Sequence, residues 1–102
     1  MAIYKNLTTV AIHTLIARGG SDSGAISKII ITNTDTLPAE DVEVYIDDST
    51  NKYYFIKGVD IPVGASLVLD EGLDFNKIKY ALMLRTYADS GTGTPSLTVI
   101  IK

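Results

Sequence analysis

The sequence predicts an all-β protein: a single domain over residues 1–102 built as an antiparallel β-sandwich of jelly-roll or Ig-like Greek-key type. Three observations predict it. Apolar and polar residues alternate over short runs, as on a strand with one buried face. Clusters of Gly, Pro, Asp, Asn and Ser interrupt those runs at the spacing expected of a sandwich. No apolar periodicity of helical spacing lasts longer than one turn. Uneven loop lengths suit Greek-key crossings better than a closed up-and-down barrel.

Residues 1–6 read as an arm with little to bury. In residues 7–17, Val10, Ile12 and Ile16 fall on one face with Thr8 and Thr14, and the β-branched content favours strand over helix. The run RGGSDSG at 18–24 is a loop. Residues 25–33 form the next strand, with Ile29 and Ile31 on one face and Ile26 and Ile30 on the other, the pattern of a strand covered on both sides. Pro38 and its acidic neighbours keep residues 34–41 out of any sheet interior.

Residues 42–75 organise the chain. Val42, Val44 and Ile46 alternate with Glu43, Tyr45 and Asp47. The short polar side chains at 47–51 bond their own backbone, so residues 52–57 are expected to fold back as the second arm of a hairpin. Ile61 and Pro62 with Gly64 fit a type I turn. Residues 66–70 are a short strand stopped by Glu71 and Gly72. Asn76 and Lys77 close a turn before a strand over 78–87, with Tyr80, Leu82 and Leu84 on one face and Ala81, Met83 and Tyr87 on the other beside Lys79 and Arg85. Residues 88–95 are expected to be a hairpin loop. Residues 96–102 return as a final strand with Leu97, Val99 and Ile101 in phase, which ties the C-terminus into a sheet.

A chain of 102 residues supplies one core and no second domain. A formal charge of −3, with Lys and Arg scattered singly, argues against a phosphate-binding surface and hence against nucleic acid. No apolar run is long enough to span a bilayer, and the N-terminus lacks the apolar core of a secretory signal, so neither membrane attachment nor export is expected. The absence of cysteine excludes disulfides and thiolate metal sites.

Candidate chemistry is sparse. GGSDSG at 19–24 looks like a phosphate-cradling loop, but such loops feed a helix N-terminus and here a strand follows. His13 is the only histidine, and nothing in the spacing places a nucleophile and a carboxylate beside it; a partly exposed strand histidine is expected. Asp47, Asp48, Asp60, Asp70, Glu71, Asp74 and Asp89 cluster at turns without the ligand pattern of an EF-hand, so solvated turn residues are expected and no Ca²⁺ site. The expectation is a protein that is not an enzyme, with no catalytic residue, metal or cofactor.

The stronger signal is an excess of apolar side chains in the outward phase. Tyr45 opposes Val42 and Val44, and TyrTyrPheIle at 53–56 puts aromatic groups on both faces in any register. Ile26, Ile30, Val68, Met83 and Ile100 also oppose better-supported apolar faces. Either loops cover these residues or another chain does. Six tyrosines and no tryptophan suit a surface that combines apolar area with a polar tip. The candidate interface is Tyr45, Tyr53, Tyr54, Phe55, Met83 and Tyr87.

Nearly the whole chain resembles small virion structural proteins of tailed bacteriophages of the marine and cyanobacterial type. The residues that carry the resemblance are LIARGGSDSGAI at 15–26, ITNT at 31–34, NKYYFIKG at 51–58, IPVGASLVL at 61–69 and the terminal SLTVIIK. The resemblance implies a β-sandwich component on the exterior of a phage particle, made in the host cytoplasm. Its implied partners are capsid or tail subunits and further copies of itself, a homo-oligomer such as a trimer. The function expected is capsid decoration, cementing the shell. The alternative is a tail- or fibre-associated module that recognises host-surface carbohydrate.

Overall fold

The computed structural model describes residues 2–9, 12–19, 26–36, 39–71, 73, 75–76, 78–86 and 96–102, except for the side chain of Glu40. Among the described residues eight strands form: β1 (Ile3–Leu7), β2 (Ile12–Ile16), β3 (Ile29–Asn33), β4 (Ala39–Asp47), β5 (Lys52–Ile61), β6 (Ser66–Leu69), β7 (Ala81–Arg85) and β8 (Leu97–Ile101). They make two four-stranded antiparallel sheets, ordered β1-β8-β3-β6 and β2-β7-β4-β5.

The pairings β1 with β8, β2 with β7, β3 with β6 and β4 with β5 are those of one long antiparallel ribbon whose tip is the β4–β5 turn. Rolling that ribbon up adds the contacts of β3 with β8 and β4 with β7. This is the jelly roll, two interlocked Greek keys. The tip is set by Asp48, whose carboxylate accepts the backbone N–H of Thr50 at 2.9 Å and of Asn51 at 2.7 Å, while its own N–H donates to the Asn51 carbonyl.

The core lies between the sheets. Ile29, Ile31, Leu97, Val99 and Ile101 project from one sheet and Val42, Val44, Leu82 and Leu84 from the other, all at most 1% exposed. Each fully buried aliphatic side chain contributes roughly 1.5 to 3 kcal/mol. Among the described residues Asn33, Thr86 and Glu43 are the buried polar ones, and Asn33 is the most deeply buried. Its Nδ2 donates to the Ile61 carbonyl at 3.0 Å, its Oδ1 accepts from the Asp35 N–H at 2.9 Å, and its backbone bonds Gly64 and Ala65. The ITNT stretch and the IPVG turn therefore meet at one side chain.

Several expectations change. Residues 1–6 are mostly strand, not an arm: β1 pairs with β8 from Ile3↔Ile101 to Leu7↔Leu97. In β2 the register shifts between Thr14 and Ile16, which leaves Ile12 half-exposed while Leu15 and Ile16 enter the core. That irregularity breaks the single apolar face read from Val10, Ile12 and Ile16; Val10 lies outside the described residues. Ile26 belongs to the core. The turn after Ile61 is one residue later than expected: Ala65 N–H bonds the Pro62 carbonyl, and Gly64, at φ 73°, occupies the third position where a type II turn needs positive φ. Residues 88–95, expected as a hairpin loop and outside the described set, connect strands of different sheets, as do residues 17–28. β7 begins at Ala81, so Tyr80 precedes it rather than lying within it.

The β4–β5 ladder carries three irregularities. Two coincide with positive φ, at Asp41 (53°) and Gly58 (68°). Asp41 N–H is held by Asp60 Oδ1 at 3.0 Å. Bulges of this kind strengthen local twist.

Candidate interaction surface

Antiparallel register puts Thr14, Met83, Tyr45 and Tyr54 in one row across the outer face of the β2-β7-β4-β5 sheet. Side chains directly opposite on neighbouring strands share a face, so three of the residues singled out from sequence come together. Tyr45 and Tyr54 rings lie 5.2 Å apart, tilted by 53°. Lys52 Nζ sits 5.3 Å from the Tyr45 ring centre and Lys57 Nζ 4.8 Å from that of Tyr54, within cation–π range.

The row differs from the sequence expectation in one respect. Tyr45 points away from the inter-sheet core but is only 1% exposed, because its own neighbours cover it. It therefore offers almost none of its surface to another chain. Burial foremost, then Asp47, Tyr54 and Glu43, push its hydroxyl pKa above the ordinary 10.0, against an opposing effect of Arg85. Tyr54 remains 40% exposed and forms the accessible top of the row.

The other predicted residues part company. Tyr53 lies in register with Ile46 and Leu82, in the core phase, and runs past the sandwich edge at 52% exposure. There it meets Tyr80 edge-on at 6.0 Å, with Lys79 Nζ 5.4 Å from the Tyr80 ring. Phe55 is half-buried and packs against the core, a correction to its expected outward role. The register shift between the pairs Val44↔Ile56 and Tyr45↔Tyr54 makes it the extra residue and turns it in. Tyr87 lies outside the described residues.

Beside Met83 is an open depression of about 360 Å³ lined by Thr14, Ala17, Arg18, Asp47, Ser49, Ala81 and Met83. Arg18 Nη1 donates to Ser49 Oγ, Ser49 N–H donates to Asp47 Oδ1 at 2.6 Å, and Ser49 Oγ–H donates to the Asp48 carbonyl. A cation, a carboxylate and hydroxyls thus ring a floor of methyl and thioether groups. Sequence reasoning had no signal for this group, since Arg18 and Ser49 are 31 residues apart.

The opposite face, outside β1-β8-β3-β6, carries a second row: Tyr4, Ile100, Ile30 and Val68. Three of these are residues whose outward phase the sequence flagged. Beside them runs a polar row, Asn6, Thr98, Thr32 and Ser66, joined by Thr98 Oγ1 donating to Asn6 Oδ1 at 3.0 Å and a 2.7 Å hydroxyl pair between Thr32 and Ser66.

His13 is half-buried opposite Leu84, and its Nε2 lies 3.0 Å from the Thr9 carbonyl, which also accepts from Thr86 Oγ1. A carbonyl only accepts, so Nε2 carries the proton. Among the described residues no three His, Asp or Glu side chains are grouped as metal ligands. Comparison with protein-family models and with curated proteins finds no match.

Proposed function

We propose that this chain is a non-enzymatic virion structural protein, a decoration or cement protein on the exterior of a phage particle, made in the host cytoplasm and bound to neighbouring shell subunits through the outer face of the β2-β7-β4-β5 sheet. The observation that carries the reading is the Tyr–Lys row. Tyr54 stands on a layer already desolvated by Tyr45 and Met83, and Lys52 and Lys57 hold both rings in place. A pre-ordered aromatic loses little side-chain entropy on docking, the general advantage of tyrosine at interfaces. Jelly rolls build viral capsid and lectin domains alike, so the fold supports the class of function by analogy only. Many weak copies joined around a closed shell would resist its dissociation through multivalency.

Rebinding to particles stripped of the protein tests this reading. Tyr54→Ser should fold normally and bind at least tenfold more weakly, as truncation of an interface tyrosine costs more than about 1.4 kcal/mol. Tyr4→Ser, on the opposite face, should bind as the wild type. Equal binding by both variants overturns the assignment of the face.

The depression beside Met83 favours a second reading, a host-surface carbohydrate module. Its Arg18, Asp47 and hydroxyl groups suit vicinal hydroxyls and its apolar floor suits the C–H face of a sugar. Binding of neutral saccharides lost in Arg18→Ala would favour it. Against it, Tyr45, Tyr53 and Tyr54 lie in strands, not at loop tips where stacking on sugars is easiest.

A further inference from the structure

Among the described strands four lie at sheet edges, and three of these are blunted. β2 carries a register shift between Thr14 and Ile16. β5 carries Lys52, Lys57 and Asp60 and pairs through bulges. β1 carries Lys5, whose Nζ reaches across to the Thr14 carbonyl of β2. Bulges and edge lysines are the devices that keep sheet edges from recruiting another strand. β6 has none of them: Ser66, Leu67, Val68 and Leu69 are uncharged, contain no Pro and pair with β3 without a shift.

The hydrogen-bond alternation says which of its groups are open. Asn33 N–H bonds the Ala65 carbonyl on the β6 side, whereas Thr34 N–H bonds Ser96, and Lys28 exchanges both bonds with Lys102, on the β8 side. Odd-numbered residues of β3 therefore face β6, and their partners Leu67 and Leu69 are the bonded residues of that strand. Ser66 and Val68 turn their N–H and C=O groups outward, and no described strand pairs with them. Alongside lies a depression of about 200 Å³ lined by Phe55, Val68, Leu69, Asp70, Glu71 and Leu73. An open ladder beside an apolar-floored hollow is the arrangement that takes an added strand, with the backbone giving affinity and the hollow giving specificity.

We propose that β6 joins to β6 of a second copy across a twofold axis at Leu67, fusing two β1-β8-β3-β6 sheets into one continuous antiparallel sheet. Ser66 of each copy exchanges both hydrogen bonds with Val68 of the other. The edge is self-complementary in this register, as a twofold contact requires. Charge selects the antiparallel sense: Asp70 then faces the partner's Gly64, whereas a parallel pairing would set the Asp70 and Glu71 pairs side by side. The row Tyr4, Ile100, Ile30 and Val68 then continues across the axis into the second copy's polar row of Ser66, Thr32, Thr98 and Asn6. This deepens the assembly part of the proposed function by naming where copies join. It uses the opposite sheet from the particle-binding face, so failure of Tyr54→Ser to weaken particle binding would leave it untouched.

Sedimentation velocity over a range of concentrations, with amide hydrogen exchange at both ends of that range, tests it. The wild type should form a dimer that dissociates on dilution. In the dimer the Ser66 and Val68 amides should be protected, and on dilution they alone in β6 should lose protection while Leu67 and Leu69 keep it. Val68→Pro deletes an outward donor at an edge position that tolerates proline, and Val68→Lys restores the missing edge charge; each should weaken self-association at least tenfold with an unchanged circular dichroism spectrum. Should Val68→Pro not fold, Val68→Lys and the wild-type amides decide. A wild type that is monomeric throughout, or an oligomer whose Val68 amide exchanges at the unprotected rate, overturns the proposal.

Discussion

The side-chain amide of Asn33, 1% exposed, donates to the carbonyl of Ile61 at 3.0 Å and so fastens the end of β5 to the end of β3 across the two sheets. Replacing it with Ala leaves the Ile61 carbonyl and the Asp35 N–H without those partners. Asn33→Ala should therefore lower stability by about 2 kcal/mol, read as a drop in the urea midpoint at unchanged slope. An unchanged midpoint would mean that water replaces the amide at no cost.

Asp48 supports a pH test. Hydrogen bonds from Asn51 and Thr50 hold its carboxyl below the ordinary 3.8. A depressed folded-state pKa contributes stability that is present above the unfolded value and lost as pH falls through the folded one. Asp48→Asn should be less stable than the wild type near neutral pH, and the gap should shrink as pH drops below about 4. A gap that stays constant into acid would show that the charge plays no part in the turn.

Gly58 separates backbone cost from packing cost. It sits at φ 68°, and an added Cβ would meet nothing nearer than Asp41 Oδ1 at 3.9 Å. Gly58→Ala should lose about 1 kcal/mol, the left-handed penalty less the entropy that Ala removes from the unfolded chain. Thermal unfolding checks it; a variant as stable as the wild type would show that the β4–β5 bulge can relax.

Much of this fold is legible in the chain because alternation is a local signal. Val42 and Val44, Leu82 and Leu84, and Leu97, Val99 and Ile101 announce their buried faces, and the Asp and Asn residues at 47–51 announce the tip of the ribbon. β1 escapes that reading because a five-residue edge strand with only Ile3 and Leu7 to bury alternates too briefly. The phase of β2 escapes it because a one-residue shift after Thr14 reverses the faces. The candidate surface is half legible. That Tyr45 opposes the core follows from its neighbours in sequence; that Met83 and Tyr54 bury it follows from a register set by the whole roll.

That cover is measurable. Tyr45 and Tyr54 should couple by about 0.5 to 1.5 kcal/mol in a double-mutant cycle with Ala or Ser. Tyr45→Ser should keep the all-β circular dichroism spectrum and cost less than Leu84→Ala, because water can enter the space it leaves. A coupling near zero would show that the rings are only adjacent.

A cryo-EM map of the parent phage particle, with this chain located in it, tests the account most directly. The result predicted is a jelly roll on the particle exterior with the β2-β7-β4-β5 face toward neighbouring subunits and Tyr54 inside the contact. A particle that lacks the chain, or holds it with that face open to solvent, would contradict the account.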